Sequence, residues 1–487
     1  MKILSTSLPR LDTEQTLWAY NALDCGVTTE VFEKTLPQLG PFENHIYNFE
    51  RALMAPVLEM MLRGIKVDFH ARDALIQDLE SEQSRLDNLL QRYGTAILDE
   101  PIKASSTKQI PHLFYEVLGF KPLKKYDKSK KEERISTDRE ALEKLAKDIR
   151  ANALCLAILA RRDSSKKISV LKAGVDADGR MRFSINIGGT ETGRLSSSKN
   201  AFGGGMNGQN INQKLRKIFV PSDGYKFIEI DLKQADSVGV AYLSGNKAYR
   251  VAIDSGDLHT YVARLVWPEL PWNGDIKKDK KIAERPYYRD VTYRQMAKHN
   301  GHGANYLETP RTLSQQLKIP IKAANDFTDK YFGNFPEIRE WQKSTIAEVQ
   351  TKGYLITPFG RKRRFLGRTW DNSTLREAVA FVPQSLTADY INLGLLRIWK
   401  AYPEIRPLMQ VHDSLLSEVP IELTEQLTPR MQELIEVPLG DFRCATDAAC
   451  GWNWSKYADD NKWGLASLPD MRQKSGPQVE ELDRRIS

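Results

Sequence analysis

The sequence predicts an α+β fold of several subdomains. The chain has 487 residues, more than one small core requires, which favours two to four subdomains. Helical periodicity dominates residues 43–172 and 311–401, whereas residues 176–232 and 354–364 turn to strand-like alternation and glycine. Two apolar strands, one near residue 230 and one near residue 410, each end on an acid: Asp231 and Asp413.

Hydrophobic content is 41% and charged content 28%, the balance of a globular chain. The net charge of +8 favours an anionic partner, nucleic acid first. Cys25, Cys155, Cys444 and Cys450 show no CxxC spacing and read as reduced thiols of a cytoplasm rather than a zinc site or disulfide frame. No apolar run approaches the ~20 residues of a membrane span, and the N-terminus lacks a signal peptide's apolar core, so no membrane partner is expected.

In chain order, residues 13–39 read as one helix with Leu17, Tyr20, Asn21 and Asp24 on one side. A Tyr-x-x-x-Asp pair can hold a metal-bound water, but a Tyr packed in a helix seam is the better explanation of the pattern taken alone. Residues 43–63 form an apolar helix capped by Gly64, then a short strand. The polar helical pattern at 71–92 suits a solvent-bridging arm. The basic run 121–134 suits a mobile loop touching phosphates, or a solvated loop. Residues 176–219 are rich in Gly, Ser and Asn, with Arg194, Gln209 and Asn210 among them. Such a backbone can approach a duplex and donate into its minor groove.

Residues 225–232 alternate as a strand, and a helical run from Gln234 stops at Gly245. An acid at a strand end before a helix suits metal-dependent phosphoryl chemistry, because the strand fixes the carboxylate and the open end admits substrate. A capping Asp would read the same. In 292–308, Arg294, Lys298, His302 and Tyr306 lie four residues apart. They form one stripe opposite Ala297, Gly301, Gly303 and Ala304. Cations and a ring on one stripe suit a nucleoside triphosphate. Residues 354–365 read as a hairpin with a basic turn at 361–364, suited to phosphate. In the helix that follows, Pro383 is expected to interrupt and Gln384 to sit at the kink. Residues 407–420 read as a hairpin with His412, Asp413 and Ser414 at its tip. Two Asp from two strands could clamp two Mg²⁺. A tail from about residue 465 is expected to be poorly ordered.

Together these residues resemble a family A, polymerase-I-like DNA polymerase of the kind common in bacteriophages. Thr192–Ser197 (TGRLSS) is similar to the family's duplex-contacting motif. DLKQAD from Asp231 is similar to motif A, RQMAKHNGHGANY from Arg294 to motif B, and VHDS from Val411 to motif C. The resemblance implies a right-hand architecture: an antiparallel palm sheet with mostly helical fingers and thumb. The expected divisions are an exonuclease remnant at 1–42, thumb at 43–190, palm at 191–245 and 365–464, fingers at 246–364, and a tail at 465–487.

It also implies roles. Asp231, Asp413 and the Leu232 carbonyl bind two Mg²⁺, with Mn²⁺ as substitute. Arg294 and His259 hold the triphosphate, Lys298 neutralises it and protonates pyrophosphate, and Tyr306 stacks near the templating base. Gln234, Asp236 and His302 also face the nucleotide. Arg194, Gln209, Asn210, Arg376, Gln384 and His412 contact primer–template DNA. The implied partners are primer–template DNA, dNTPs and a separate exonuclease or processivity subunit, for a monomer in the host bacterial cytoplasm.

Four positions depart from the family's pattern. Asp236 stands where Glu usually blocks a ribose 2′-hydroxyl, which implies a looser sugar gate. His302 replaces a common Phe or Tyr. Ser414 stands where motif C usually has Glu, as though that acid were dispensable here. Ala380 replaces a frequent Asn. Tyr20 and Asp24 resemble the last exonuclease motif, and the earlier ones have no room before Met1, so no proofreading is expected from this chain. An RNA-synthesising relative, or a non-catalytic primer–template binder, are the competing readings.

Overall fold

The computed structural model describes residues 12–127, 132–200 and 203–469. The leader at 1–11, the tip of the basic run at 128–131 and the tail from 470 lie outside them. Labelled in chain order, the helices that matter are α1 (Thr13–Thr35), α2 (Phe69–Leu98), α3 (Ile149–Leu171), α4 (Ala235–Ser244), α5 (Leu258–Val266), α6 (Tyr293–Asn305) and α7 (Asn372–Ala401). The main sheet is built from β1 (Tyr225–Leu232), β2 (Arg406–Val411), β3 (Ser414–Pro420), β4 (Thr446–Gly451) and β5 (Ala466–Ser467). Among the described residues no helix is long and apolar enough to cross a membrane.

The chain divides into two compact units. The first takes Met54–Val238 and the chain from Thr387 onward. Its sheet is antiparallel throughout, in the order β2-β3-β1-β4-β5. Central β1 buries Phe227, Ile228, Ile230 and Leu232, as an interior strand must. Helix Thr424–Ile435 packs against β1, β3 and β4.

A second core in this unit corrects the expectation of a solvent-bridging arm. Helix α2 packs along α3 and contributes Leu90, with Leu86 and Tyr93 beside it, to a cluster with Ile110, Phe114, Leu154 and Ile158. A narrow apolar stripe on a polar helix suffices when a second helix covers it. In the basic run, Lys124–Asp127 pairs antiparallel with Glu132–Ile135, so its described residues are strand rather than plain loop.

The second unit takes Gly239–Leu386 and the described residues up to Leu53. Tyr331 is fully buried at its centre, with Tyr249, Phe327 and Phe335 around it. Helix α6 packs on α5 and on Ile321–Asn334. Three expectations are corrected here. Tyr20 is not packed in a seam: α1 buries no residue, and Tyr20 is 60% exposed. Three of the four cations of the basic run are paired internally, Arg361 with Glu50, Lys362 with Glu43 and Arg363 with Glu377, which leaves exposed Arg364 as the residue of the run open to a phosphate. Helix α7 runs through Pro383 without interruption. Gly239 gives the ring room there, since a Cβ at 239 would lie 3.1 Å from Pro383 Cβ.

Candidate active site

In the first unit, β1 carries Asp231 one residue from its end, and the two-residue turn between β2 and β3 is His412-Asp413. The Leu232 N–H donates to the Asp413 carbonyl at 3.0 Å, and the Lys233 N–H to Ala445 at 2.8 Å. The first bond locks the two acid-bearing segments together, and the second ties the Asp231 segment to the chain entering β4. His412 (φ +55°) and Gln234 (φ +52°) both hold left-handed backbone, which a side chain adopts only when its surroundings impose it. Both flank the acids.

Arg194 reaches the same place. Its Nη2 lies 3.5 Å from Asp413 Oδ1 and 3.8 Å from Asp236 Oδ1. Its backbone is fixed by Thr190 Oγ1, which donates to the Arg194 carbonyl at 2.9 Å, and by Asn392 Nδ2, which donates to the Gly193 carbonyl at 3.1 Å. Gln209 is used internally, because its Nε2 donates to the Leu195 and Gln410 carbonyls at 2.8 and 3.0 Å. Its amide nitrogen therefore props the Arg194 segment. Asn210 and His412 are exposed.

Burial raises the Asp231 carboxyl to about 7, and the charges of Glu229 and Asp413 add to the effect. Its outer edge meets solvent, but the surrounding walls still strip much of its hydration. Asp413 is also raised, by burial and then by Asp236, while Arg194 pulls it back. Asp413 Oδ1 and Asp236 Oδ1 are buried without a hydrogen bond. Mutually repelling carboxylates whose buried oxygens make no hydrogen bond and share one guanidinium fit a hard cation. Among the described residues no group of three or more His, Cys, Asp or Glu is placed to hold a metal ion by itself. An open set of two acids suits Mg²⁺ shared with substrate phosphates.

In the second unit, the expected stripe on α6 forms. Lys298 and His302 are exposed and Arg294 half-buried, while Met296, Ala297, Asn300, Gly301, Gly303 and Ala304 are buried on the other side. The helix starts in a Thr292–Gln295 capping box. At its far end Gln342 Nε2 donates to the Ala304 and Asn305 carbonyls at 2.8 and 3.0 Å, satisfying groups the helix end leaves open. Tyr306 ends the helix, with its ring 5.0 Å from that of His302 in an edge-on arrangement.

Two details were not legible beforehand. Arg294 is held by Asp257 through two bonds, at 3.0 and 3.1 Å, so a phosphate would share a guanidinium already aimed by a carboxylate. Burial, followed by the charge of Arg294, lowers His259 to about 4, so it is a neutral hydrogen-bonding group at pH 7. Arg376 is exposed and Gln384 half-buried on α7. Gly303 has no room for a side chain, because a Cβ would meet Glu308 and lie 2.6 Å from Leu313 Cδ2. Gly303→Ala should therefore lower stability by about 1–2 kcal/mol in denaturant unfolding.

The family model for DNA polymerase family A matches residues 73–456. The chain is 29% identical over 459 residues to the thermostable DNA polymerase I of Thermus filiformis, covering 89% of this chain and 51% of that protein. It is 30% identical over 347 residues to DNA polymerase I of Mycobacterium bovis, covering 67% of this chain and 35% of that one. The structure is similar to the POL domain of Pol1 from M. smegmatis, solved with DNA primer-template and dNTP. The TM-score is 0.70 at 25% identity, over 83% of this chain and 70% of that one. The chain spans about half the length, or less, of the curated relatives it matches. With the match running through both the acid-tipped strands and the cationic helix, the chain belongs to DNA polymerase family A.

Proposed function

We propose that this chain is a template-directed DNA polymerase that adds dNTPs to a primer 3′-hydroxyl. The observation that carries the reading is the pairing of Asp231 at a strand end with Asp413 in the neighbouring turn, whose buried Oδ1 makes no hydrogen bond and meets only Arg194, at 3.5 Å. Asp231, Asp413 and the Leu232 carbonyl would hold Mg²⁺, with Mn²⁺ as substitute. Two such ions, when bound, supply activation of the attacking hydroxyl and neutralisation of the triphosphate. The chain's own groups position the reactants. Arg294, Lys298 and His302 bind phosphates, neutral His259 donates a hydrogen bond, and Lys298 gives a proton to the leaving pyrophosphate. Tyr306 flanks the base, and Gln234 and Asp236 face the sugar. Arg194, Asn210, Arg376, Gln384 and His412 contact primer–template, and Gln209 acts behind Arg194.

The subdomain reading is palm at 191–245 and 365–464, fingers at 246–364, thumb at 43–190 and an exonuclease remnant at 1–42; the tail expected at 465–487 is corrected over its first residues, because Ala466–Ser467 pairs with β4 and belongs to the palm sheet. We read the enzyme as a monomer. A bacteriophage origin is carried by the motif resemblance alone, since the similar proteins are bacterial.

Extension of a labelled primer on a DNA template, with dNTPs and rNTPs in parallel, tests the reading. Extension with dNTPs supports it. Robust extension with rNTPs would move the assignment to RNA synthesis, and binding without extension to an accessory role. Asp236 leaves a gate one methylene shorter than Glu would. Asp236→Glu should raise selectivity for dNTP over rNTP about tenfold in steady-state incorporation. Equal selectivity would remove the sugar-gate role.

A further inference from the structure

Helix α6 ends at Tyr306, and the residue just before it is a buried asparagine. Asn305 is 2% exposed and is bonded into the aromatic cluster of Tyr249, Phe327, Tyr331 and Phe335. Its amide is used at both ends. Tyr331 Oη donates to Asn305 Oδ1 at 2.8 Å, and Asn305 Nδ2 donates to Tyr249 Oη at 3.1 Å. The two tyrosines stand on different helices, Lys247–Asp254 and Ile321–Asn334. A third helix, Pro336–Lys352, supplies Gln342, whose amide takes the carbonyls of Ala304 and Asn305. Tyr331 also lies along α6 itself, since a Cβ at Gly301 would stand 3.4 Å from its ring.

Beyond this clamp the backbone leaves the helix at once. Tyr306 has φ −112° and ψ +30°, and Leu307 is left-handed at φ +59°. A residue with a side chain holds that region only where its surroundings impose it. The clamp and the Tyr306 ring are also close in space. Burial holds the Tyr331 phenol well above its usual range, Tyr249 raises it further, and Tyr306 adds to the effect.

We infer that Asn305 is a positioning residue: its amide, spanned between Tyr249 and Tyr331, fixes where α6 ends and so the direction in which Tyr306 presents its ring. This rests on the polymerase reading, in which Tyr306 flanks the base. Leucine has the same γ-branched shape and would suit an aromatic cluster without needing partners. A buried amide is costly unless bonded, and its bonds are directional where apolar contact is not. Neighbouring residues on a helix point about 100° apart. Asn305 is therefore locked inward while Tyr306 continues the stripe of Arg294, Lys298 and His302.

The test is insertion of one nucleotide by the purified full chain, with matched and mismatched dNTPs, on a primer–template whose templating base is the fluorescent 2-aminopurine. The variant combines Asn305→Leu with Tyr249→Phe and Tyr331→Phe. It removes donors and acceptors together, so no buried group is stranded and thermal unfolding should stay near that of the wild type. Its preference for the matched dNTP should nevertheless fall about tenfold. The templating 2-aminopurine should also brighten as the Tyr306 ring leaves its stacked position. Tyr306→Ala should cause the same two changes, and adding it to the triple variant should change nothing further. If the triple variant does not fold, Tyr331→Phe alone, which keeps the ring, is read in the same way. Wild-type selectivity and fluorescence in a folded variant would overturn the inference. So would losses that add to those of Tyr306→Ala, because the clamp would then act elsewhere. Wild-type behaviour of Tyr306→Ala, with primer extension intact, would overturn it too and leave the polymerase reading standing. A wild-type chain that extends no primer would remove the polymerase reading and the inference with it.

Discussion

Asp413→Asn is expected to reduce primer extension about 10⁴-fold, or about 5.5 kcal/mol of transition-state stabilisation. Asparagine keeps the size of the side chain and the Asp413 carbonyl that receives the Leu232 N–H, so the turn should survive. What is lost is one of two negative charges brought together by β1 and the β2–β3 turn. Asp231→Asn should behave alike. Primer–template affinity should change much less than the rate, since the basic groups are untouched. A mutant that retains a tenth of the activity would place the metal elsewhere.

The same substitutions should stabilise the protein in EDTA. The folded-state pKa of Asp231 is raised to about 7 by burial and neighbouring acids. A raised carboxylate contributes nothing below its unfolded pKa. Its cost grows as pH climbs from about 4 towards 7 and is fully present above that. Asp231→Asn should therefore raise the Tm by about 2 °C at pH 8, after discounting for solvent screening, and leave it unchanged at pH 4. A lowered Tm at pH 8 would show that the carboxylates help hold the sheet together.

Lys298→Ala is expected to lower kcat by about 10²–10³-fold, with a smaller effect on the KM for dNTP. Lys298 lies on the open stripe of α6, one turn from Arg294, and makes no ion pair among the described residues. Arg294, by contrast, is already aimed by Asp257. Its removal should act mainly on nucleotide binding, raising KM. Lys298→Arg separates charge from proton donation. An arginine restores the positive charge but holds its proton too tightly to give to pyrophosphate. Nucleotide binding should recover in that variant while kcat stays low. Full recovery of kcat would mean that neutralisation alone is required.

Much of the site was legible in one dimension because its elements are local. The strand that ends beside Asp231, the hairpin tip at Asp413 and the four-residue spacing from Arg294 to Tyr306 are consequences of period 2 and period 3.6. The structure forms all three. The small residues of α6 were likewise readable as a packing face, and Tyr331 and Leu313 occupy it.

Pairings between distant segments were not legible. The basic turn at 361–364 looked open because Glu43, Glu50 and Glu377 are remote in the chain. The polar helix α2 looked like an arm because the cover over its stripe is contributed by α3. Gln209 looked like a duplex contact until the Leu195 and Gln410 carbonyls claimed its amide.

From residues alone came the fold class, the two acids and the cationic stripe, since backbone geometry relates neighbours in sequence to positions on one face. The folded chain decided which charges remain available. It paired Arg361, Lys362 and Arg363 with acids, aimed Arg294 through Asp257, and set Glu229 beside Ser414 on adjoining strands. Charge falls off with distance in space and takes no account of distance along the chain, so only packing could settle those partners.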